Sequence, residues 1–127
     1  IELFYPADNS LSGLLLTEEQ LGGDAVEALL VSGEKGYAIV GRPAESGSRT
    51  VLLSFDPSTG EVSEPLLSAK RWDYASLELS PDGGELWLAD RTRESSGIRI
   101  FDVENDEELT AEPIDVGLPP AAICYVP

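Results

Sequence analysis

The feature that most constrains this chain is an internal repeat. The range 29–40 aligns with the range 77–88 at a constant offset of 48 positions, which places Gly36 on Gly84. Self-similarity with a period of about 46 residues is typical of repeat architectures, in which each repeat is one supersecondary unit. The fold is therefore expected to consist of similar units stacked side by side.

Each unit has the same order of elements. A short apolar strand runs into a glycine-containing turn, at 32–36 in one unit and 80–84 in the next, where glycine supplies the positive φ of a hairpin. A second strand, a longer polar loop, a third strand and a fourth strand follow. The third strand alternates with period two at 98–103. Four antiparallel strands in about 46 residues predict an all-β fold of β-propeller blades; another all-β arrangement, such as a two-sheet sandwich, would not explain the self-similarity.

The repeat also predicts how the chain is divided. The start of the chain, 1–4, matches the third strand at 98–101, and the end, 123–127, matches the first strand at 77–81. One helical turn is predicted at 17–21. The predicted segments are the last two strands of a blade at 1–24, full blades at 25–71 and 72–118, and the first strand of a further blade at 119–127.

About two and a half blades do not close a ring, because propellers have at least about four blades. The chain also contains no methionine. It is therefore expected to be a fragment or processed part of a larger propeller, or to assemble from several copies through its exposed strand edges.

Three stretches carry a family resemblance. The range 79–90, LSPDGGELWLAD, resembles the SPDG…LYVAN signature of YVTN-type, WD40-like β-propeller repeats, and 97–103 and 113–123 resemble the following strands of that family. The resemblance covers about 75–127 well and about 25–70 loosely. It implies a secreted, periplasmic or cell-surface protein of usually about six to eight blades that binds a protein or ligand. The chain has prolines at 119–120 where the family carries a histidine, so a metal or catalytic role does not carry over.

The charge balance narrows the choice of partner. The chain has 24 acidic and 8 basic residues and no histidine, for a formal net charge of -16. Such a field repels nucleic acid and anionic lipid surfaces. No apolar run approaches the ~18 residues that a membrane span needs. The acidity fits salt adaptation or simple solubility, and these two explanations stay open.

Most of the basic residues are predicted to share one face. Loops after the second and fourth strands of a blade open on the same side, and six of the eight basic residues lie in these loops. Two aromatic residues accompany them, and arginine beside an aromatic ring favours a binding hot spot. The predicted site for a protein or small anionic ligand comprises Arg42, Arg49, Lys70, Arg71, Trp72, Tyr74, Arg91 and Arg93. Alternatively, these charges are solvated or neutralised by Asp73 or Glu94, and Trp72 fills the seam between blades.

The opposite face is predicted to be acidic. Its loops carry Glu34, Asp56, Glu61, Asp82, Glu104, Asp106, Glu107 and Glu108. Carboxylates alternate along 102–106 as in calcium loops, but the glycine that an EF-hand needs at its sixth position is absent. The lone Cys124 and the lack of histidine argue against zinc. No metal or cofactor is predicted.

Catalysis has little support in the sequence. There is no Gly-x-Ser-x-Gly elbow and no histidine to act as a base. Three hypotheses follow: a non-catalytic binding module, a purely structural segment of a larger propeller, and a carboxylate-based hydrolase or lactonase using Asp73 and Asp90. We expect the first.

Overall fold

The computed structural model describes residues 1–126, apart from the side chain of Ser12. Strands and turns dominate the chain, and the all-β prediction is confirmed. The strands are β1 Glu2–Tyr5, β2 Ser10–Leu14, β3 Ala25–Ser32, β4 Lys35–Gly41, β5 Thr50–Phe55, β6 Leu67–Ala69, β7 Tyr74–Leu79, β8 Glu85–Asp90 and β9 Gly97–Asp102. The helix α1 spans Glu18–Leu21, and a 3-10 turn spans Ala44–Ser46. No helix in the described residues is long and apolar enough to cross a membrane.

The strands form three antiparallel sheets. Sheet 1 is the β1–β2 hairpin, sheet 2 has the order β3-β4-β5-β6, and sheet 3 has the order β7-β8-β9. None of the three sheets is closed on itself. Within each sheet, strands that follow one another in sequence are neighbours. Gly33 between β3 and β4 has φ +59°, and Gly83 between β7 and β8 has φ +75°, a conformation that glycine adopts without a steric cost.

The segment after β9 continues sheet 3 without forming a regular strand. It touches β9 at two isolated bridges, Phe101 with Glu108 and Ile98 with Ile114. Pro113 precedes the second bridge and has no N–H to donate, which limits a continuous ladder. The range 119–126, where the sequence predicts the first strand of a further blade, is paired with no strand; Ile123 N–H donates to Ser76 Oγ at 2.9 Å. Pro127 lies outside the described residues.

Sheet 2 is covered on both faces. On one face its side chains share a buried cluster with sheet 3: Tyr37, Ile39, Leu52, Ala69, Tyr74, Leu86, Leu88 and Phe101. On the other face they share a cluster with the N-terminal segment: Leu16, Leu21, Ala38, Val40, Val51, Leu53 and Phe55. Burying one such large side chain stabilises the fold by about 1.5–3 kcal/mol. Each seam between neighbouring units is therefore a hydrophobic core in its own right.

The sheets converge toward their first strands. β7 approaches β3 more closely than it approaches β4 or β5. Alternation along β3 turns Ala28 and Leu30 toward the seam and leaves Leu29 and Val31 exposed. Sheets 2 and 3 therefore pack face to face and approach each other most closely along β3 and β7.

A polar clamp also joins these two sheets. It is centred on Asp106, which follows β9 and has φ +60°. Asp106 Oδ1 accepts hydrogen bonds from Lys35 Nζ at 3.1 Å and from Tyr37 Oη at 2.8 Å, while Oδ2 accepts from Ser54 Oγ at 2.7 Å. Lys35 Nζ also donates to the carbonyl oxygen of Val103 at 2.7 Å. Burial and the neighbouring carboxylate raise the pKa of Tyr37, so the phenol stays protonated and keeps donating.

Candidate binding surface

Three connections lie at one end of the sheets. In sheet 2, Thr50 pairs with both Gly41 and Ala69, so the end of β4, the start of β5 and the end of β6 are neighbours. In sheet 3, Asp90 at the end of β8 pairs with Tyr74 at the start of β7. We call this the basic end, and define it by the connections 42–49, 70–73 and 91–96.

A buried hydroxyl holds the connection between the two sheets in place. Thr50 is fully buried, and its Oγ1 donates to the carbonyl oxygen of Arg71 and accepts from the N–H of Asp73 at 3.3 Å. The carbonyl oxygen of Asp73 in turn accepts from the N–H of Arg91 at 2.6 Å. Residues 70–73 are therefore fixed to sheet 2 on one side and to sheet 3 on the other.

A groove of about 450 Å³ opens above this connection. The side chains of Arg71 and Trp72 come from the link between the sheets, and those of Arg91 and Arg93 come from the connection after β8. All four residues are exposed, and Asp73 completes the lining. The groove thus brings together half of the sequence-predicted site.

Trp72 is partly packed and partly free. A Cβ on Gly41 would lie 2.5 Å from Trp72 Cζ3, so the indole packs closely on this glycine. The Arg49 guanidinium lies 4.9 Å from the centre of the indole ring, a cation–π distance. Even so, 48% of the residue stays exposed. The ring therefore fills part of the seam, as the alternative interpretation proposed, and also presents an apolar surface to solvent.

Besides Arg49, three predicted residues lie outside the groove. Arg42 is half-buried near Gly22 at the end of α1, and its Nε is buried with no hydrogen-bond partner in the described residues. Lys70 is exposed and lines a neighbouring groove of about 370 Å³, which Arg71 also borders. Tyr74 is 6% exposed and belongs to the core of the seam, where burial raises its pKa. Tyr74 is therefore a core residue of the seam and does not line the groove.

None of the six basic residues at the basic end forms an ion pair within residues 1–126. In this range, Lys35 forms an ion pair with Asp106, and Arg99 forms ion pairs with Asp90 and Glu108. Asp73 and Glu94, which in the alternative interpretation neutralise the arginines, make no such contact. Among the described residues, the paired basic side chains are thus the two outside the basic end, although the chain has 24 acidic residues.

Asp90 has a structural environment that the sequence did not reveal. It is 1% exposed; Oδ2 accepts from Arg99 Nε at 2.6 Å, and Oδ1 accepts from the N–H of Thr92 at 2.8 Å. The sequence signal for this contact was the period-two alternation along β9. Arg99 pairs with Leu88, whose side chain faces the core, and a charged side chain on that face needs a partner. Both oxygens of the Asp90 carboxylate are therefore engaged in hydrogen bonds.

The opposite end of the sheets carries the acidic turns. Asp102 Oδ1 accepts from the N–H groups of Glu104 and Asn105 at 3.0 and 3.1 Å, and Asp106 belongs to the clamp. Asp102 thus serves the turn itself, and Asp106 serves the contact with sheet 2. Within residues 1–126 no group of three or more potential metal-ligating side chains is placed to hold an ion. In the preceding unit, hydrogen bonds from Ser58 hold the pKa of Asp56 below its usual value.

No known protein-family model matches the chain, and no curated protein matches it in sequence.

Proposed function

We propose that this chain is a segment of a β-propeller that acts as a non-catalytic binding module and contacts its partner through the groove at the basic end. The internal repeat and the SPDG-like stretch support the propeller part of the proposal. So do the meander order of sheet 2 and the convergence of β3 and β7, because propeller blades pack face to face around the strands nearest the axis.

The observation that carries the binding proposal is the set of unpaired basic side chains around an exposed indole. Six basic residues cluster at one end of a chain with net charge -16, and none has an ion-pair partner in the described residues. Solvated charges of one sign attract a complementary partner and orient its approach. Arginine and tryptophan are also the residues most enriched at binding hot spots. A protein surface or a small anionic ligand fits this chemistry.

We further propose an extracytoplasmic location, in a secreted, periplasmic or cell-surface protein. The resemblance to YVTN-type repeats supports this location. The acidic, lysine-poor composition, with lysine only at Lys35 and Lys70, agrees with an exposed, salt-tolerant surface.

The test compares two variants with the same net charge. Arg91→Gln with Arg93→Gln removes two charges from the groove, and Ser32→Glu with Ala111→Glu adds two negative charges at exposed positions outside the basic end. Peptides selected by phage display on the native chain are then measured on both variants by biolayer interferometry. Binding that is lost on the first variant and retained on the second supports the groove. Equal binding on all three proteins contradicts it.

A purely structural segment is the second candidate, and the shared cores of the seams favour it. A segment that only supplies blades to a larger protein has no reason to present a ligand-specific groove. It would select no peptides whose binding depends on the groove arginines.

A further inference from the structure

We propose that the groove at the basic end is selective for short acidic peptide segments in which carboxylate side chains flank an apolar or aromatic residue. This inference rests on the proposed binding function and specifies the chemistry of the ligand. It uses the groove lined by Arg71, Trp72, Asp73, Arg91 and Arg93.

The arrangement of the arginines favours a ligand with more than one acceptor group. Arg71 belongs to the link between the sheets, whereas Arg91 and Arg93 belong to the connection after β8, so the guanidinium groups approach the groove from two directions. Each guanidinium can donate two parallel hydrogen bonds to one carboxylate. Two or three successive acidic side chains would therefore occupy both sides of the groove.

One observation favours carboxylates over phosphate. Asp73 contributes a carboxylate to the groove lining. It repels the ligand group that lies beside it in proportion to the charge of that group, and a phosphate monoester carries about -1.5 to -2 at pH 7, whereas a single carboxylate carries one charge. Singly charged groups spread along a peptide thus meet less repulsion at each position.

Trp72 supplies the apolar part of the specificity. Its indole is held between Gly41 and Arg49, so little side-chain freedom is lost when a ligand covers it. The 48% of the residue that is exposed lies beside the unpaired arginines. An aromatic or large aliphatic ligand residue next to the carboxylates can therefore stack on the ring while the acidic groups reach the guanidinium groups.

The test measures binding of four defined probes by isothermal titration calorimetry. They are the capped peptide acetyl-EDEF-amide, its neutral counterpart acetyl-QNQF-amide, the peptide acetyl-EDEG-amide without the aromatic ring, and inorganic phosphate. We expect acetyl-EDEF-amide to bind at least about 10-fold more tightly than each of the other three. Losing one charge-assisted arginine contact weakens binding by about 10- to 100-fold, and we expect this loss for Arg93→Gln. Ser32→Glu with Ala111→Glu should leave the affinity within about twofold.

The tryptophan is tested through selectivity, which a general loss of stability does not imitate. Trp72→Ala should abolish the preference for acetyl-EDEF-amide over acetyl-EDEG-amide and leave the preference for acidic over neutral peptide. Near-ultraviolet circular dichroism shows whether the variant keeps native packing. If a folded Trp72→Ala variant still prefers the phenylalanine peptide, the stacking part of the inference is wrong.

Three results would overturn the inference, and they differ from failure of the proposed function. Tighter binding of phosphate than of the acidic peptide would assign the groove to phosphate groups. A concentration-dependent increase in mass by light scattering, lost in Arg91→Gln with Arg93→Gln, would assign it to a second copy of the chain. If no defined probe binds but the selected peptides still need the arginines, the ligand class is wrong and the binding function stands. If those peptides ignore the arginines, the binding function itself fails.

Discussion

Replacing Asp106 by alanine should strongly destabilise the chain, because this side chain bonds three residues of sheet 2 across the seam. The substitution removes the acceptors for Tyr37 Oη at 2.8 Å and Ser54 Oγ at 2.7 Å. It also removes the partner of Lys35, although Lys35 keeps its hydrogen bond to Val103. The new alanine must in addition adopt φ +60°, which aspartate tolerates better than alanine does.

The size of the effect can be estimated from these contacts. A hydrogen bond to a charged group contributes about 1.5 kcal/mol or more, so two such bonds account for about 3 kcal/mol. The left-handed backbone adds about 1 kcal/mol for a residue with a plain Cβ. The Lys35 pair adds about 0.5 kcal/mol, since both partners are partly exposed to water. The free energy of unfolding should therefore fall by about 4–5 kcal/mol.

Urea unfolding followed by tryptophan fluorescence measures this change. With a slope of about 2 kcal/mol per molar, the midpoint should move down by about 2 M. Two companion variants divide the effect. Asp106→Gly relieves the backbone cost and should recover about 1 kcal/mol, while Asp106→Asn keeps one oxygen acceptor and the tolerance for positive φ. It should lose only about half as much stability as the alanine variant.

A shift below about 0.5 M for Asp106→Ala would refute the idea that the clamp holds the seam. So would an alanine variant no less stable than the asparagine variant. In either case the hydrophobic cluster shared by the sheets would suffice alone, and the polar contacts would be incidental.

Three further predictions concern separate parts of the fold. Gly36→Ala should lower the free energy of unfolding by about 2–3 kcal/mol, because its Cβ would collide with the ring of Phe55; a thermal melt checks this, and an unchanged melting temperature would contradict the packing. Ser58→Ala should raise the pKa of Asp56 toward 3.8, measured by carbon-detected NMR titration. Because the pKa of Asp56 is lowered in the folded state, the stability that these hydrogen bonds contribute is present above pH 3.8 and is lost as the pH falls through the lowered pKa. If Ser58→Ala leaves the pKa of Asp56 unchanged, the hydrogen bonds from Ser58 are not its cause. Trp72→Ala should cost only about 1–2 kcal/mol in urea unfolding, since 48% of the residue is already exposed, and a loss of more than about 3 kcal/mol would show that the ring is mainly structural.

Local patterns in the sequence predicted much of the fold. The alternation at 98–103 corresponds to β9, Gly97–Asp102, and the glycine-containing turns at 32–36 and 80–84 join antiparallel strands. The predicted helical turn at 17–21 corresponds to α1, which begins with a capping box between Thr17 and Gln20. These features depend on neighbours in sequence, so they can be read without knowing the tertiary structure.

Features that depend on distant contacts were not predictable in this way. Asp106 looks like one more solvated carboxylate in an acidic turn, yet its partner Tyr37 lies 69 positions away. The environment of Asp90 likewise depends on Arg99 from the next strand. Whether 123–126 forms a strand depends on pairing with a strand elsewhere in the fold, and in the described chain this range pairs with none.

The candidate site likewise combines features that the sequence predicts with features that depend on distant contacts. Strand order alone placed Arg71, Arg91 and Arg93 at one end of the sheets. The burial of Tyr74 did not follow from its position two residues after Trp72: Tyr74 begins β7 and belongs to the core of the seam, whereas Trp72 lies in the connection before the strand. The lack of ion pairs at the basic end, within the described residues, depends on side-chain positions that the sequence does not give.

Sheet 2 packs against a neighbouring unit on each of its faces, and this limits where the chain can be cut into pieces that fold. Each seam draws its side chains from two neighbouring units, so the border of a repeat in sequence is not a border in the core. Cutting the chain between Arg71 and Trp72 would leave Leu86 and Phe101 facing water. The smallest piece that folds is therefore larger than one repeat, and duplication or loss of a unit during evolution would preserve the fold only where new neighbours carry matching seam residues.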